Sequence, residues 1–225
     1  MVEIESWMNE LAEQLTRTFG ARLLFLGLQG SYGRGEATEQ SDIDVVTVLD
    51  TVHRTDLDTY RTVVRALPEG DKTCGFICGR RELRSWPKYD LLQLAEDTRP
   101  WYGALEDLLP GFTRHDLAEA VQNGAANLYH ATCHTYLYAD RDAWPAFLWE
   151  AQKGAFFVLR DWYELRTGCS VRGRKELLPL LEGDAREILA CGLDGESEPG
   201  AAFERLLRWS GTLLEQMGDL GTEIP

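Results

Sequence analysis

Two aspartates separated by one residue, Asp42 and Asp44, are the strongest chemical signal in this sequence. They open an apolar run over residues 45–49, which is typical of a buried β-strand. Side chains two positions apart in a strand point to the same face, so both carboxylates should project together while Ile43 points away. Mg²⁺ prefers oxygen ligands and is commonly held by one or two carboxylates plus substrate phosphates. The spacing therefore predicts a metal site for phosphate chemistry.

A glycine-rich segment over residues 30–35, Gly-Ser-Tyr-Gly-Arg-Gly, follows an earlier apolar run. Glycine lets the backbone approach a ligand closely and aim its amides at an anion. Gly30 and Ser31 are therefore candidate phosphate contacts, and a helix beginning near Ser31 would add partial positive charge. Arg34 is a candidate that can contact phosphate or pair with an acid. Ser41, next to the aspartates, is a further candidate for nucleotide binding.

These motifs resemble the signature of the DNA polymerase beta-like nucleotidyltransferase superfamily, and they are closest to its aminoglycoside-modifying and minimal bacterial members: Gly30-Ser31, then Arg34-Gly35, then Ser41-Asp42-Ile43-Asp44. The resemblance implies a mixed sheet flanked by helices. It also implies Mg²⁺ as cofactor and ATP or another nucleoside triphosphate as donor. By position, Asp42 and Asp44 would be the catalytic metal ligands, and Gly30 and Ser31 the triphosphate contacts.

The resemblance has one departure, which concerns a third acidic residue that the superfamily usually places on a later strand. The matching strand covers residues 73–78 and contains no acid. Three explanations stay open: a nearby acid substitutes for it, the helical half of the chain supplies it, or catalysis is weakened. The nearby acids are Asp71, Glu82, Asp90 and Asp97.

The composition restricts the partners. A net charge of −14 disfavours a nucleic-acid acceptor, because proteins bind phosphate backbones through basic surfaces. No apolar run is long enough to span a membrane. The acidic N-terminus lacks the basic segment followed by an apolar segment that is typical of a secretory signal. The five scattered cysteines, none in a Cys-x-x-Cys pair, agree with a reducing compartment. These features predict a cytoplasmic protein with no membrane partner, and they leave open whether it forms a homodimer.

The hydrophobic pattern divides the chain into two predicted domains of an α+β protein. Residues 1–110 alternate helices with strands near 23–29, 43–49 and 73–78 and a short edge strand near 99–103, and a helix-like piece runs through Leu94. Residues 111–225 are predicted to form an all-helical bundle domain. In that half Thr113 resembles a helix cap, and Gly168 is a natural helix end.

The helical half offers further candidate residues. Lys153 lies among aromatic residues and either reaches the triphosphate, as a helical-domain lysine does in the resembled enzymes, or lies along the surface. Glu150 and Asp161 are candidate general bases. His130 and His134 are one helical turn apart and share a face, which suits either a zinc site or an ordinary packed face.

Three functions fit this sequence. The first is transfer of a nucleoside monophosphate, AMP from ATP, to a hydroxyl of a small-molecule acceptor such as an antibiotic, by two-metal catalysis. The second uses a protein acceptor, and the third is a nucleotide-binding module that has lost activity. The helical half within one chain favours the first over the second, and the intact aspartate pair disfavours the third.

Overall fold

The computed structural model describes residues 2–194 and 198–220. The chain divides after Gly111 into two compact units. Elements of the first unit are α1 (Ile4–Phe19), β1 (Leu23–Leu28), α2 (Gly30–Arg34), β2 (Ile43–Leu49), α3 (Arg54–Ala66), β3 (Thr73–Gly79), α4 (Arg80–Ser85), α5 (Lys88–Asp97) and β4 (Arg99–Tyr102). Elements of the second are α6 (Arg114–Tyr138), α7 (Trp144–Thr167), α8 (Arg174–Leu177), α9 (Gly183–Asp194) and α10 (Pro199–Leu220). Short 3-10 turns cover Gly20–Arg22, Gly70–Lys72, Arg141–Ala143 and Leu178–Leu180.

The first unit is built on a four-stranded mixed sheet in the order β3-β2-β1-β4. Strand β1 is antiparallel to both of its neighbours, whereas β2 and β3 are parallel. The two central strands are almost continuously apolar, as expected of strands covered on both faces. Because Leu28 pairs with Val45, the end of β1 lies beside the start of β2. The predicted mixed sheet with flanking helices is confirmed, and its register brings the two sequence motifs together.

Helix α1 packs its apolar stripe into the core of this unit, with a helical period. The stripe is buried and consists of Trp7, Met8, Leu11, Leu15 and Phe19. The helix-like piece predicted to continue through Leu94 is two helices, α4 and α5, separated at Trp86 and Pro87. Proline disfavours a helical conformation in the residue before it and lacks an amide donor, so it ends α4 and precedes α5.

The second unit is entirely helical within the described residues, with α6 packed against α7 and α10. Thr113 caps α6 in a capping box with Asp116, and Gly168 ends α7 with a φ of 70°, as the sequence predicted. Helices α6 and α7 approach closely at Gly124, where an added Cβ would lie 2.5 Å from a methyl group of Val158. None of the helices in the described ranges combines the length and the apolar character needed to cross a bilayer.

A buried carboxylate in the first unit makes its stability dependent on pH. The Asp56 carboxylate accepts hydrogen bonds from both terminal nitrogens of Arg22, at 2.8 and 2.9 Å, and from the backbone amide of His53 at 2.9 Å. These hydrogen bonds lower the pKa of Asp56 to about 2, and those from Arg22 contribute most. An unfolded aspartate has a pKa of about 3.9, so the stabilisation is complete above that pH and is lost as pH falls through 2.

We therefore expect Asp56→Asn to lower the melting temperature at pH 7 and to flatten its decline between about pH 4 and pH 2. Thermal melts of the wild type and the variant across this range test the expectation. Parallel curves for the two proteins, offset by a constant, would contradict it.

Candidate active site

The aspartate pair lies at the start of β2, with Asp44 inside the strand and Asp42 immediately before it. Ile43 is fully buried, whereas Asp44 is half-buried and Asp42 is exposed. The carbonyl of Asp44 accepts the amide of Gln29 at 2.8 Å, which joins the end of β1 to this point of β2. Because Asp44 follows the buried Ile43 in β2, strand alternation turns its carboxylate away from the side of Ile43, and the shared face of Asp42 stays a prediction.

Gly30 brings the backbone of α2 directly against Asp44. Its φ is +64°, in the left-handed region, and an added Cβ would lie 2.0 Å from Asp44 Oδ2. A side chain at this position would therefore have to displace the carboxylate. The close approach explains why glycine is needed here, and it places the turn in contact with Asp44.

Arg34 is held by acids at the other end of α2. Its Nη1 atom donates to both oxygens of Asp97, at 2.7 and 2.9 Å, and its Nε atom donates to Glu36 at 3.2 Å. Burial acts to lower the pKa of Arg34, but the neighbouring Asp97 and Glu36 outweigh it and raise the pKa. The structure shows the pairing of Arg34 with acids, and its contact with phosphate stays a prediction.

The two serines of the motif lie in different surroundings. The half-buried Ser31 is the second residue of α2, and its carbonyl accepts the Glu36 amide at 2.7 Å. The Ser41 hydroxyl accepts the Thr38 amide at 2.8 Å and so closes the loop before β2. The structure thus gives Ser41 a role in shaping the loop, and the nucleotide contacts of both serines stay predictions.

Cys74 occupies the position on β3 beside Asp44. The two residues are partners in the parallel register of β2 and β3, and Cys74 is exposed with a free thiol. Four acids were considered as substitutes for the missing third acid. Of these, Asp97 contacts the motif turn (α2, Gly30–Arg34), because its carboxylate accepts a hydrogen bond from the Gly30 amide at 3.1 Å. Asp71, Glu82 and Asp90 are exposed.

The candidates of the helical unit make their contacts on α7. Lys153 is exposed, pairs with Glu150 at 2.9 Å and lies 5.5 Å from the centre of the Trp149 ring. Asp161 is buried beside Arg160, and burial raises the pKa of its carboxyl. The assignments of Lys153 to the triphosphate and of Glu150 or Asp161 to base catalysis stay predictions.

The histidine pair lies on α6 as expected. His130 and His134 are exposed, and their ring centres are 6.0 Å apart. His134 also contacts the ring of Tyr138 at 5.2 Å. Within the described part of the chain, no group of three or more His, Cys, Asp or Glu side chains is placed to hold a metal ion.

Comparison with known proteins agrees with this arrangement. Residues 8–98, which include the motif turn, the aspartate pair and Asp97, match the model of the nucleotidyltransferase domain. This part of the chain is similar to nucleotidyltransferase domains. This match supports, for residues 8–98, the resemblance to the polymerase beta-like superfamily that the motifs predicted.

Solved structures extend the likeness in fold beyond the nucleotidyltransferase domain. The chain is similar to a spectinomycin adenyltransferase from Enterococcus faecialis, solved with ATP and spectinomycin. The sequence identity is 15%, the TM-score is 0.61, and the match covers 94% of this chain and 99% of that one. A toxin–antitoxin structure with AMP-PNP matches at 20% identity over 60% of this chain and 93% of that one, and its TM-score of 0.34 supports no conclusion. No curated protein sequence matches significantly.

Proposed function

We propose that the protein transfers AMP from ATP to a hydroxyl of a small-molecule acceptor, at a site formed by the α2 turn and the aspartate pair. The observation that carries this proposal is the contact between Gly30 and Asp44. An added Cβ would approach the carboxylate to 2.0 Å, so a triphosphate held on the turn would lie next to the carboxylates.

The donor set suits a magnesium ion completed by the substrate. Asp42 and Asp44 supply carboxylate oxygens two residues apart at a strand start, and Mg²⁺ is commonly held by one or two carboxylates plus phosphates and water. When bound, the metal would neutralise charge on the triphosphate and activate the acceptor hydroxyl. The chain's own part is to hold the two carboxylates at a fixed separation and to orient the triphosphate on the turn.

A small molecule is the acceptor that the chain suits best. A net charge of −14 disfavours nucleic acid and agrees with a cationic acceptor. The adenyltransferase that shares the fold over nearly its whole length was solved with ATP and spectinomycin, which makes aminocyclitol and aminoglycoside antibiotics the first acceptors to test.

The acceptor is identified by incubating the protein with Mg²⁺ and ATP labelled on its α-phosphate. Each antibiotic of a panel is added separately, and a cell extract serves as the source of protein and metabolite acceptors. We expect label on a small molecule, detected by thin-layer chromatography and as an AMP adduct by mass spectrometry. Label confined to a protein band would replace this proposal with protein modification. Nucleotide binding without transfer to any acceptor would favour a binding module, with Cys74 beside Asp44 as the structural reason for lost activity.

A further inference from the structure

Asp97, at the end of α5, holds both ends of the α2 turn. Its Oδ2 atom accepts the amide of Gly30, the first residue of α2, at 3.1 Å. Both of its oxygens accept Nη1 of Arg34, the last residue of α2, at 2.7 and 2.9 Å. One carboxylate therefore connects the two ends of the turn that the proposed function assigns to the triphosphate.

The environment of Asp97 makes this connection strong. Its side chain is 7% exposed and that of Arg34 is 16% exposed, so water competes little for the hydrogen bonds. Hydrogen bonds between charged groups are shorter and stronger than neutral ones, and a buried carboxylate that loses its cation is costly. The end of α5 is fixed further by Gln29, whose side-chain amide donates to Thr98 Oγ1 at 2.8 Å and to the Leu94 carbonyl at 3.3 Å.

The connection continues to the aspartate pair through Gly30. This residue is bonded to Asp97 on one side and lies against the Asp44 carboxylate on the other. A shift of Asp97 would therefore move Gly30 and change the distance between the turn and Asp44. Nucleotide contacts are sensitive to such shifts, because misplacement by about 1 Å can cost a hundredfold in rate.

We propose that Asp97 is a positioning residue for the nucleotide donor, acting through Gly30 and Arg34 rather than by contact with the reacting atoms. The proposal rests on the proposed function, because it needs the α2 turn to bind the triphosphate. Asp97, whose carboxylate accepts the Gly30 amide, thus has a role in orientation that is separate from the question of the missing strand acid.

The first unit contains a matched control for this proposal. Asp56 also accepts two hydrogen bonds from an arginine and one from a backbone amide, and its side chain is 10% exposed. Its partners are Arg22 and His53, which belong to the segments before β1 and α3 and not to the motif turn. Asp97→Asn and Asp56→Asn thus remove the same interaction at two places in the same unit.

The experiment measures binding of α,β-methylene ATP with Mg²⁺ by calorimetry, together with melting temperatures, for the wild type and both variants. We expect both variants to lower the melting temperature by similar amounts. Asp97→Asn should also weaken binding of the analogue by about tenfold or more, whereas Asp56→Asn should leave binding unchanged. Arg34→Lys keeps the charge but removes the planar guanidinium that bonds Asp97 and Glu36 together, so it should bind with intermediate affinity. This variant replaces Asp97→Asn as the test if Asp97→Asn does not fold.

Equal binding by Asp97→Asn and the wild type would overturn the inference and leave the proposed function standing. Equal losses of binding in Asp97→Asn and Asp56→Asn would also overturn it, because a general loss of stability would then explain both. Failure of the wild type to bind the analogue would contradict the proposed function and the inference with it.

Discussion

Replacing Asp44 with asparagine should lower the turnover of ATP by about a thousandfold, while the melting temperature changes little. Asparagine has the same shape and can keep the contact with Gly30, but it removes the negative charge that the metal and triphosphate need. Stabilisation of transition-state charge through a metal amounts to several kcal/mol, and each 1.36 kcal/mol is tenfold in rate. Pyrophosphate release measured at saturating ATP and Mg²⁺ provides the test.

The control for this variant is Asp58→Asn, the same chemical change at an exposed position of α3. Asp58→Asn removes one negative charge, as Asp44→Asn does, but its site lies outside the motif turn. It should therefore keep the turnover of the wild type. Turnover by Asp44→Asn equal to that of Asp58→Asn would remove the aspartate pair from the chemistry.

Replacing Gly30 with alanine should lower turnover by about a hundredfold, because the new Cβ would displace the Asp44 carboxylate, 2.0 Å away. The φ of +64° adds a backbone cost of about 1–2 kcal/mol to the folding free energy of any residue with a side chain. Both turnover and the free energy of unfolding should therefore fall.

Gly35 separates these two effects. Its φ is +71°, nearly that of Gly30, and an added Cβ would meet nothing within 4 Å. Gly35→Ala should therefore lose a similar 1–2 kcal/mol of stability from the backbone and retain most of its turnover. Chemical denaturation and steady-state assays of the two variants provide the comparison. Equal turnover in Gly30→Ala and Gly35→Ala would show that the contact with Asp44 is unimportant.

Local sequence patterns were sufficient to predict the elements that carry the motifs. The continuous apolar runs of β1 and β2 predicted buried strands, and the spacing of the aspartates predicted that Asp44 would lie at the start of β2. The cap at Thr113 and the glycine at position 168 marked helix ends through short-range hydrogen bonding, which depends on residues only a few positions apart.

Contacts between residues distant in sequence could not be predicted in this way. Arg34 and Asp97 are 63 residues apart, and the sequence did not indicate which acid would pair with that arginine. The position of Cys74 beside Asp44 depends on the register of two parallel strands joined by a helix.

The reaction proposed for the Gly30–Asp44 site breaks the bond between the α- and β-phosphates of ATP, and ATP labelled at two positions tests this directly. Wild-type protein is incubated with Mg²⁺, an acceptor from the panel and ATP labelled on the α-phosphate, and in a parallel reaction with ATP labelled on the γ-phosphate. Transfer of the α-label to the acceptor, with the γ-label released in pyrophosphate, is the predicted result. Transfer of the γ-label to the acceptor would show phosphoryl transfer instead and would contradict the account.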